Sequence, residues 1–277
     1  MDRYAVIGHP IAHSKSPRIH AAFARQTGQA LCYEAILAPL DGFSTSVHAF
    51  RAAGGRGMNV TVPFKLEAFA LADQHTARAR AAGAVNTLSF NTEGILGDNT
   101  DGAGLVRDLS IHLGCTLKGR RVLLLGAGGA ARGALLPLLD EQPAVLTIAN
   151  RTPRKAQELA SRFADSAAST QLHACGFEAL AGQQFDLVIN ATAASLADAA
   201  PALPGGLYAP GALAYDMMYG RDDTPFIAAA RAEGATRTAD GLGMLVEQAA
   251  ESFALWRGLR PDSSAVLAEL RRELGGP

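Results

Sequence analysis

Residues 121–131 constrain this chain more than any other stretch. An apolar run, Val122 to Leu125, leads directly into Gly126, Gly128 and Ala131 at the spacing G-x-G-x-x-A. Four apolar residues in a row fit a strand buried on both faces. Glycines at the first two positions let the backbone turn tightly and approach a pyrophosphate. A small residue at the third lets the next helix pack closely on the strand. A second apolar strand, Ala144 to Ala149, ends in Asn150-Arg151-Thr152, with Arg154 just beyond. A site for NAD usually has an acidic residue here to hold the ribose 2′-hydroxyl. Arginines suit a 2′-phosphate instead, so the reading is NADP. The glycine spacing alone is a weak signal. A strand before it, a helix after it and a second strand ending in charge give it weight; without them it is a turn in an ordinary α/β domain, with Arg151 a solvated residue.

The rest of the chain continues the alternation. Strands are expected at Arg3 to Ile7, Leu31 to Leu37, Met58 to Val62, Val85 to Phe90 and Ile95 to Asp98, and helices at Pro17 to Thr27, Gly42 to Ala53 and Phe64 to Ala72. This is the texture of parallel α/β folds. Near residue 101 it changes to a helical stripe (Leu105, Val106, Leu109, Leu113) that runs to the glycine turn. Further strands are expected near Leu187 to Asn190, Leu213 to Asp216 and Thr236 to Thr238, and helices over 243–257 and 263–274. The main boundary falls near 101. With 277 residues the chain has room for two domains. A net charge of -1 gives nucleic acid and anionic membrane no purchase. Three scattered cysteines fit a reducing cytoplasm, and no cysteine, histidine or carboxylate spacing asks for a metal. The N-terminus opens as a strand rather than a signal peptide, and no apolar run approaches the length of a membrane span.

Four polar clusters break the apolar background of the first domain. Ser14-Lys15-Ser16-Pro17 either caps a helix through Ser16 or offers two hydroxyls to a small anion or polyol. In Asn59-Val60-Thr61-Val62-Pro63-Phe64-Lys65, Asn59 and Thr61 share a strand face, and Lys65 enters the first turn of a helix. The helix dipole is positive there, so a lysine costs stability unless it has a partner or a job; the plain alternative is a solvated lysine. Asn86, in Gly83-Ala84-Val85-Asn86-Thr87, is either a strand-end asparagine or a group that donates and accepts toward a hydroxylated ligand. Asp101, in Asp98-Asn99-Thr100-Asp101-Gly102, suits an N-cap and equally a carboxylate facing a ligand.

Taken in order, S-K-S-P at 14–17, N-V-T-V-P-F-K at 59–65, G-A-V-N-T at 83–87, D-N-T-D-G at 98–102, G-A-G-G-A-A at 126–131, N-R-T at 150–152, Y-D-M-M-Y at 215–219 and D-G-L-G-M-L-V-E-Q-A-A at 240–250 closely resemble the shikimate dehydrogenase family. The resemblance covers nearly the whole chain. It implies a cytoplasmic enzyme of aromatic amino-acid biosynthesis that reversibly reduces 3-dehydroshikimate to shikimate with NADPH. By motif position, Ser14, Ser16, Asn59, Thr61, Asn86, Tyr219 and Gln248 hold the substrate's carboxylate and hydroxyls, and Lys65 and Asp101 form the catalytic pair at the substrate. Gly126, Ala127, Gly128, Gly129, Ala130, Asn150, Arg151, Thr152 and Arg154 bind NADP, with Met217 and Gly241 near the nicotinamide. The implied fold is an N-terminal α/β substrate domain (1–101 with 240–277) and a Rossmann-type doubly wound parallel sheet (102–239), the C-terminal helices returning to the first domain. A monomer or homodimer without nucleic-acid or membrane partners is expected. Three departures stand out: Asn190 to Ser195 lacks a glycine often found near its end, Ala77 stands where many relatives have an acidic residue, and Gly220-Arg221-Asp222-Asp223 replaces a proline-richer loop. Competing readings are a quinate/shikimate dehydrogenase using NAD and a non-catalytic NADP-binding sensor.

Overall fold

The computed structural model describes residues 1–192, 194 and 199–275. The chain divides into two compact units, Met1–Gly104 with Leu245–Leu270, and Leu105–Met244 with Arg271–Pro277.

The first unit carries β1 (Asp2–Gly8), α1 (Ser16–Thr27), β2 (Leu31–Leu37), α2 (Phe43–Ala52), β3 (Gly55–Val60), α3 (Lys65–Leu71), β4 (Gln74–His75), α4 (Ala77–Ala82), β5 (Thr87–Asn91), β6 (Gly94–Asp98) and the start of α5 (Asp101–Arg107). Its six strands lie in the order β2-β1-β3-β5-β6-β4. The sheet is mixed rather than parallel throughout: β5 runs antiparallel to both β3 and β6. The β5–β6 reversal has a local reason, because the two strands are joined by a two-residue connection that cannot make a parallel crossover. Two elements escape the sequence pattern, β4 and α4, which are two and six residues long and too short to show a period. Ile7, Phe43, Val47, Met58, Phe64 and Leu88 are among the side chains that form this unit's apolar core.

The antiparallel step positions the polar clusters. Ile7 pairs with Val60, Asn59 with Thr87, and Thr87 with Asp98. The C-terminal ends of β1, β3 and β6 and the beginning of β5 therefore share one edge of the sheet. All four polar clusters of the first domain leave the sheet at that edge.

The second unit follows α5 through a π-helical turn at Asp108–His112 into β7 (Arg121–Leu125), α6 (Gly129–Asp140), β8 (Val145–Ala149), α7 (Pro153–Phe163), β9 (Gln171–Cys175), β10 (Phe185–Asn190), β11 (Tyr208–Asp216), α8 (Pro225–Ala232) and β12 (Arg237–Ala239). The strand order β12-β11-β10-β7-β8-β9 is parallel at every pairing. Counted from β7 this is 6-5-4-1-2-3, the doubly wound dinucleotide-binding order, with its switch point beside β7. Val122 to Leu125 are fully buried, as a strand covered on both faces requires. Two last helices, α9 (Leu242–Arg257) and α10 (Ser263–Glu273), follow; Leu245 to Leu270 belong to the first unit. Among the described residues no helix is long and apolar enough to cross a membrane.

Candidate active site

Lys65 is the first residue of α3, following the cis Val62-Pro63 peptide. Its main-chain carbonyl accepts from Val85 N at 2.9 Å, which ties the start of this helix to the segment entering β5. Its ammonium has the partner that this end of a helix demands: Nζ lies 2.6 Å from Asp101 Oδ2. The pair is partly covered, with 32% of the lysine side chain and 17% of the aspartate exposed, so solvent can still reach the ammonium. Asp101 begins α5, where its own amide donates to Asn99 Oδ1 at 3.2 Å; the capping acceptor is Asn99 and the Asp101 carboxylate is left for other work.

Asn86 orients that carboxylate. Its Nδ2 donates to Asp101 Oδ1 at 2.8 Å, while its Oδ1 accepts from Thr100 N at 2.8 Å and Thr87 Oγ1 at 2.9 Å. Asn59, at the end of β3, donates through Nδ2 to Thr87 Oγ1 at 3.0 Å and Ser252 Oγ at 2.8 Å. Gln248 on α9 anchors its own amide on Leu245 O and brings Oε1 to 3.4 Å from both Asn86 Nδ2 and Thr100 Oγ1. The structure thus brings Lys65, Asp101, Asn86, Asn59 and Gln248 into one hydrogen-bonded system. The sequence reading passed over Thr87, Thr100 and Ser252, which join them. Ser252 did leave a signal, a hydroxyl one helical turn beyond Gln248 on a face otherwise made of Ala249 and Phe253.

Ser14, Ser16 and Thr61 sit on the same edge. Ser16 opens α1 but is not its cap: the N-cap position is Lys15, without a side-chain cap, and the amide of Ser16 donates to Ser14 Oγ at 3.3 Å. Ser16 is buried. Thr61 lies one residue past β3 rather than within it, its amide donating to Ile7 O at 3.0 Å. Tyr219 belongs to the second unit, in the loop after β11, where burial and the Asp240 carboxylate push its hydroxyl above the usual tyrosine range.

In the second unit, β7 is followed by Gly126 at φ 108°, a conformation that disfavours side chains. A Cβ there would also lie 3.0 Å from Ala191 O. Ala127 follows, and Gly128, Gly129 and Ala130 present an exposed first turn of α6 that carries no acidic residue. Ala131 is fully buried against the strand side, as a small third residue should be. Beyond β8, Asn150 Nδ2 donates to Thr152 O at 2.9 Å, which holds the turn into α7. Thr152 is the N-cap position of that helix, and Arg151, Arg154 and Lys155 crowd its start without an acidic residue in the first turn. Cations at the positive end of a helix raise the local potential, and among the described residues Arg154 pairs with Glu158 alone, at 3.3 Å on the surface. Met217 N donates to Asn190 O at 3.0 Å, and Gly241 packs so tightly on it that a Cβ would fall 2.1 Å from Met217 O. Of the departing 190–195 loop, Ala193 and Ser195 lie outside the described residues. Ala77 is the first residue of α4, and Gly220 to Asp223 lead toward α8. Among the described residues, no three metal-ligating side chains come together.

With this geometry in view, the comparisons are consistent across the chain. Residues 6–88 match the shikimate dehydrogenase substrate binding domain, 109–197 the shikimate / quinate 5-dehydrogenase model, and 241–271 the shikimate 5'-dehydrogenase C-terminal domain. A shikimate dehydrogenase (NADP(+)) of Aromatoleum aromaticum is 70% identical over 100% of this chain and 99% of its own length. The chain belongs to the shikimate dehydrogenase family. Solved structures agree. An Ael1 enzyme from Pseudomonas putida superposes with a TM-score of 0.91 at 52% identity, covering 98% of both chains. The shikimate 5-dehydrogenase of Thermus thermophilus, solved in complex with NADP(H) and shikimate, gives 0.85 at 36% identity, over 98% of this chain and 99% of its own.

Proposed function

We propose that this chain is an NADP-dependent shikimate dehydrogenase, reducing 3-dehydroshikimate to shikimate and running in reverse with shikimate and NADP. The observation that carries the reading is the Lys65–Asp101 pair at 2.6 Å, oriented by Asn86 within a set of buried hydroxyls and amides. Such a set matches a small polyol: side-chain amides both donate and accept, and hydroxyls do either. Ser14 and Ser16 hold the carboxylate end, and Asn59, Thr61, Asn86, Gln248 and, from the second unit, Tyr219 hold the hydroxyl-bearing ring.

The residues of the second unit fit a phosphorylated dinucleotide. The bare amides of the α6 first turn and the glycine conformation before them suit a pyrophosphate, and Arg151 and Arg154 suit a 2′-phosphate through charge-assisted bonds. Met217 and Gly241, packed against each other, would flank the nicotinamide. When bound, the reduced coenzyme supplies the hydride.

Lys65 donates a proton from Nζ to the ketone oxygen as that oxygen gains charge, and in the oxidative direction accepts it back from the hydroxyl. Its positive charge also stabilises the developing oxyanion before the proton has moved. Asp101 keeps the ammonium on station, bonds a neighbouring substrate hydroxyl through its other oxygen, and is itself held by Asn86. The polar set fixes the ring so that the reacting carbon does not wander, which is where much of the rate comes from.

The test is steady-state assay of shikimate and quinate, each with NADP and with NAD. Shikimate with NADP is expected to be the preferred pair by a wide margin in kcat/KM. Equal use of NAD would remove the phosphate role of Arg151, and absence of shikimate turnover would remove the reading.

A further inference from the structure

The side-chain amide of Asn59 is held at both ends, and hydrogen-bond chemistry dictates which way round. Ser252 Oγ donates to the main-chain carbonyl of Gln248 at 2.9 Å, a group that can only accept. Ser252 therefore meets Asn59 as an acceptor, and Asn59 Nδ2 donates to it at 2.8 Å. This turns Asn59 Oδ1 toward the Tyr33 hydroxyl, which donates across 2.7 Å. The result is a chain of single polarity from Tyr33 through Asn59 and Ser252 to the backbone of α9. Tyr33, on β2, thus supports a polar side chain at the end of β3.

The Tyr33 ring is held from behind. His20 is fully buried and lies flat against it, with ring centroids 4.1 Å apart and planes within 5°. Trp256 flanks it at 6.3 Å. The His20 nitrogens make no hydrogen bond among the described residues, so the imidazole supports the ring by contact and does not compete for its hydroxyl.

We propose that Tyr33 is a positioning residue for the substrate: its hydroxyl anchors Asn59 through Oδ1 and holds that side chain where it meets the bound polyol. This rests on the assignment of Asn59 to substrate binding. Without the hydroxyl, Asn59 Oδ1 loses its donor and the side chain is held from the Nδ2 end alone, so substrate is held less well in the ground state and the transition state alike. Loss of uniform binding raises KM and spares kcat. Tyr33, Asn59 and Ser252 all belong to the first unit.

Tyr33→Phe keeps the ring and its stacking on His20. It is expected to raise KM for shikimate roughly tenfold, the scale of one buried hydrogen bond, with kcat within about twofold and KM for NADP unchanged. In an Asn59→Ala background the same change is expected to add nothing further. Tyr4→Phe is the control: its hydroxyl bonds Arg257 and its ring stacks on Trp256 in the same unit, so melting shifts but KM for shikimate does not. An unchanged KM for shikimate in Tyr33→Phe, an equal rise for NADP, kcat falling in step, or a full-sized effect on top of Asn59→Ala would each overturn the proposal. A wild-type protein inactive on shikimate would overturn the functional reading itself, and this one with it.

Discussion

Lys65 occupies a position that helix electrostatics disfavour, and the structure shows what offsets the cost: a carboxylate at 2.6 Å that is itself anchored by Asn86. That much was legible as a tension in the sequence, a cation at a helix start. The partner was named only through the family resemblance, since Asp101 is 36 residues away and no spacing pairs the two; the sheet register brings it back. His20 is the opposite case. In the sequence it is one of several histidines near the serines; in the fold, burial pushes its pKa down to about 3 from 6.5, with the nearby Asn59 side chain offsetting a little. The folded protein therefore keeps His20 neutral in a range where the unfolded chain protonates it. Stability is full above pH 6.5 and falls as pH drops from there toward about 3, by up to about 1.4 kcal/mol for each pH unit. We expect His20→Phe to flatten the urea-denaturation stability curve between pH 6.5 and 4; a curve that keeps its wild-type slope would show that another group is responsible.

At the level of elements, the glycine turn was legible because everything that defines it is contiguous: a buried strand, a turn and a helix start within eleven residues. The mixed first sheet was not. Nothing local in Val85 to Asp98 says that β5 will reverse against β3, yet that reversal is what places Asn86 beside Asp101. β9 was likewise missed, since Gln171 to Cys175 is a polar-tinged edge strand without a long apolar run. The start of α7 bears on coenzyme choice. Arg151 and Arg154 add positive charge where the helix dipole is already positive, an arrangement that an incoming phosphate relieves. Arg151→Ala is expected to raise KM for NADPH at least tenfold and to leave KM for NADH nearly unchanged, since a charge-assisted bond contributes on the order of 1.5–3 kcal/mol. Comparable effects on both coenzymes in steady-state assays would contradict the 2′-phosphate role.

For the whole molecule, the important feature is that the chain returns to its beginning. Arg78 on α4 grips Asp98 with Nε at 2.7 Å and Nη2 at 2.5 Å, and reaches Glu251 on α9 with Nη1 at 2.9 Å. Glu251 also pairs with Arg260, which reaches Glu247, and Glu247 accepts from Ser263 Oγ at 2.5 Å. This network locks the last helices to the segment that carries Asp101. Asp98 is 1% exposed; burial alone would raise its pKa, but Arg78 and Thr76 outweigh it and hold it below the usual carboxylate range. Its contribution is present above that range and is lost as pH falls through the lowered value. Arg78→Ala strands a buried carboxylate and is expected to cost about 3–5 kcal/mol in urea denaturation; a change below about 0.5 kcal/mol would mean that the network is ornamental.

In the proposed function the first unit supplies the substrate residues and the proton relay, and the second the coenzyme residues. The measurement that bears most directly on this is kcat for shikimate oxidation by Lys65→Ala at saturating shikimate and NADP, beside a fluorescence titration of NADPH binding. A fall of roughly 10²–10⁴ in kcat, with KM for shikimate little changed and NADPH affinity intact, is the predicted result. Turnover within a fewfold of wild type would contradict it and take Lys65 out of the chemistry.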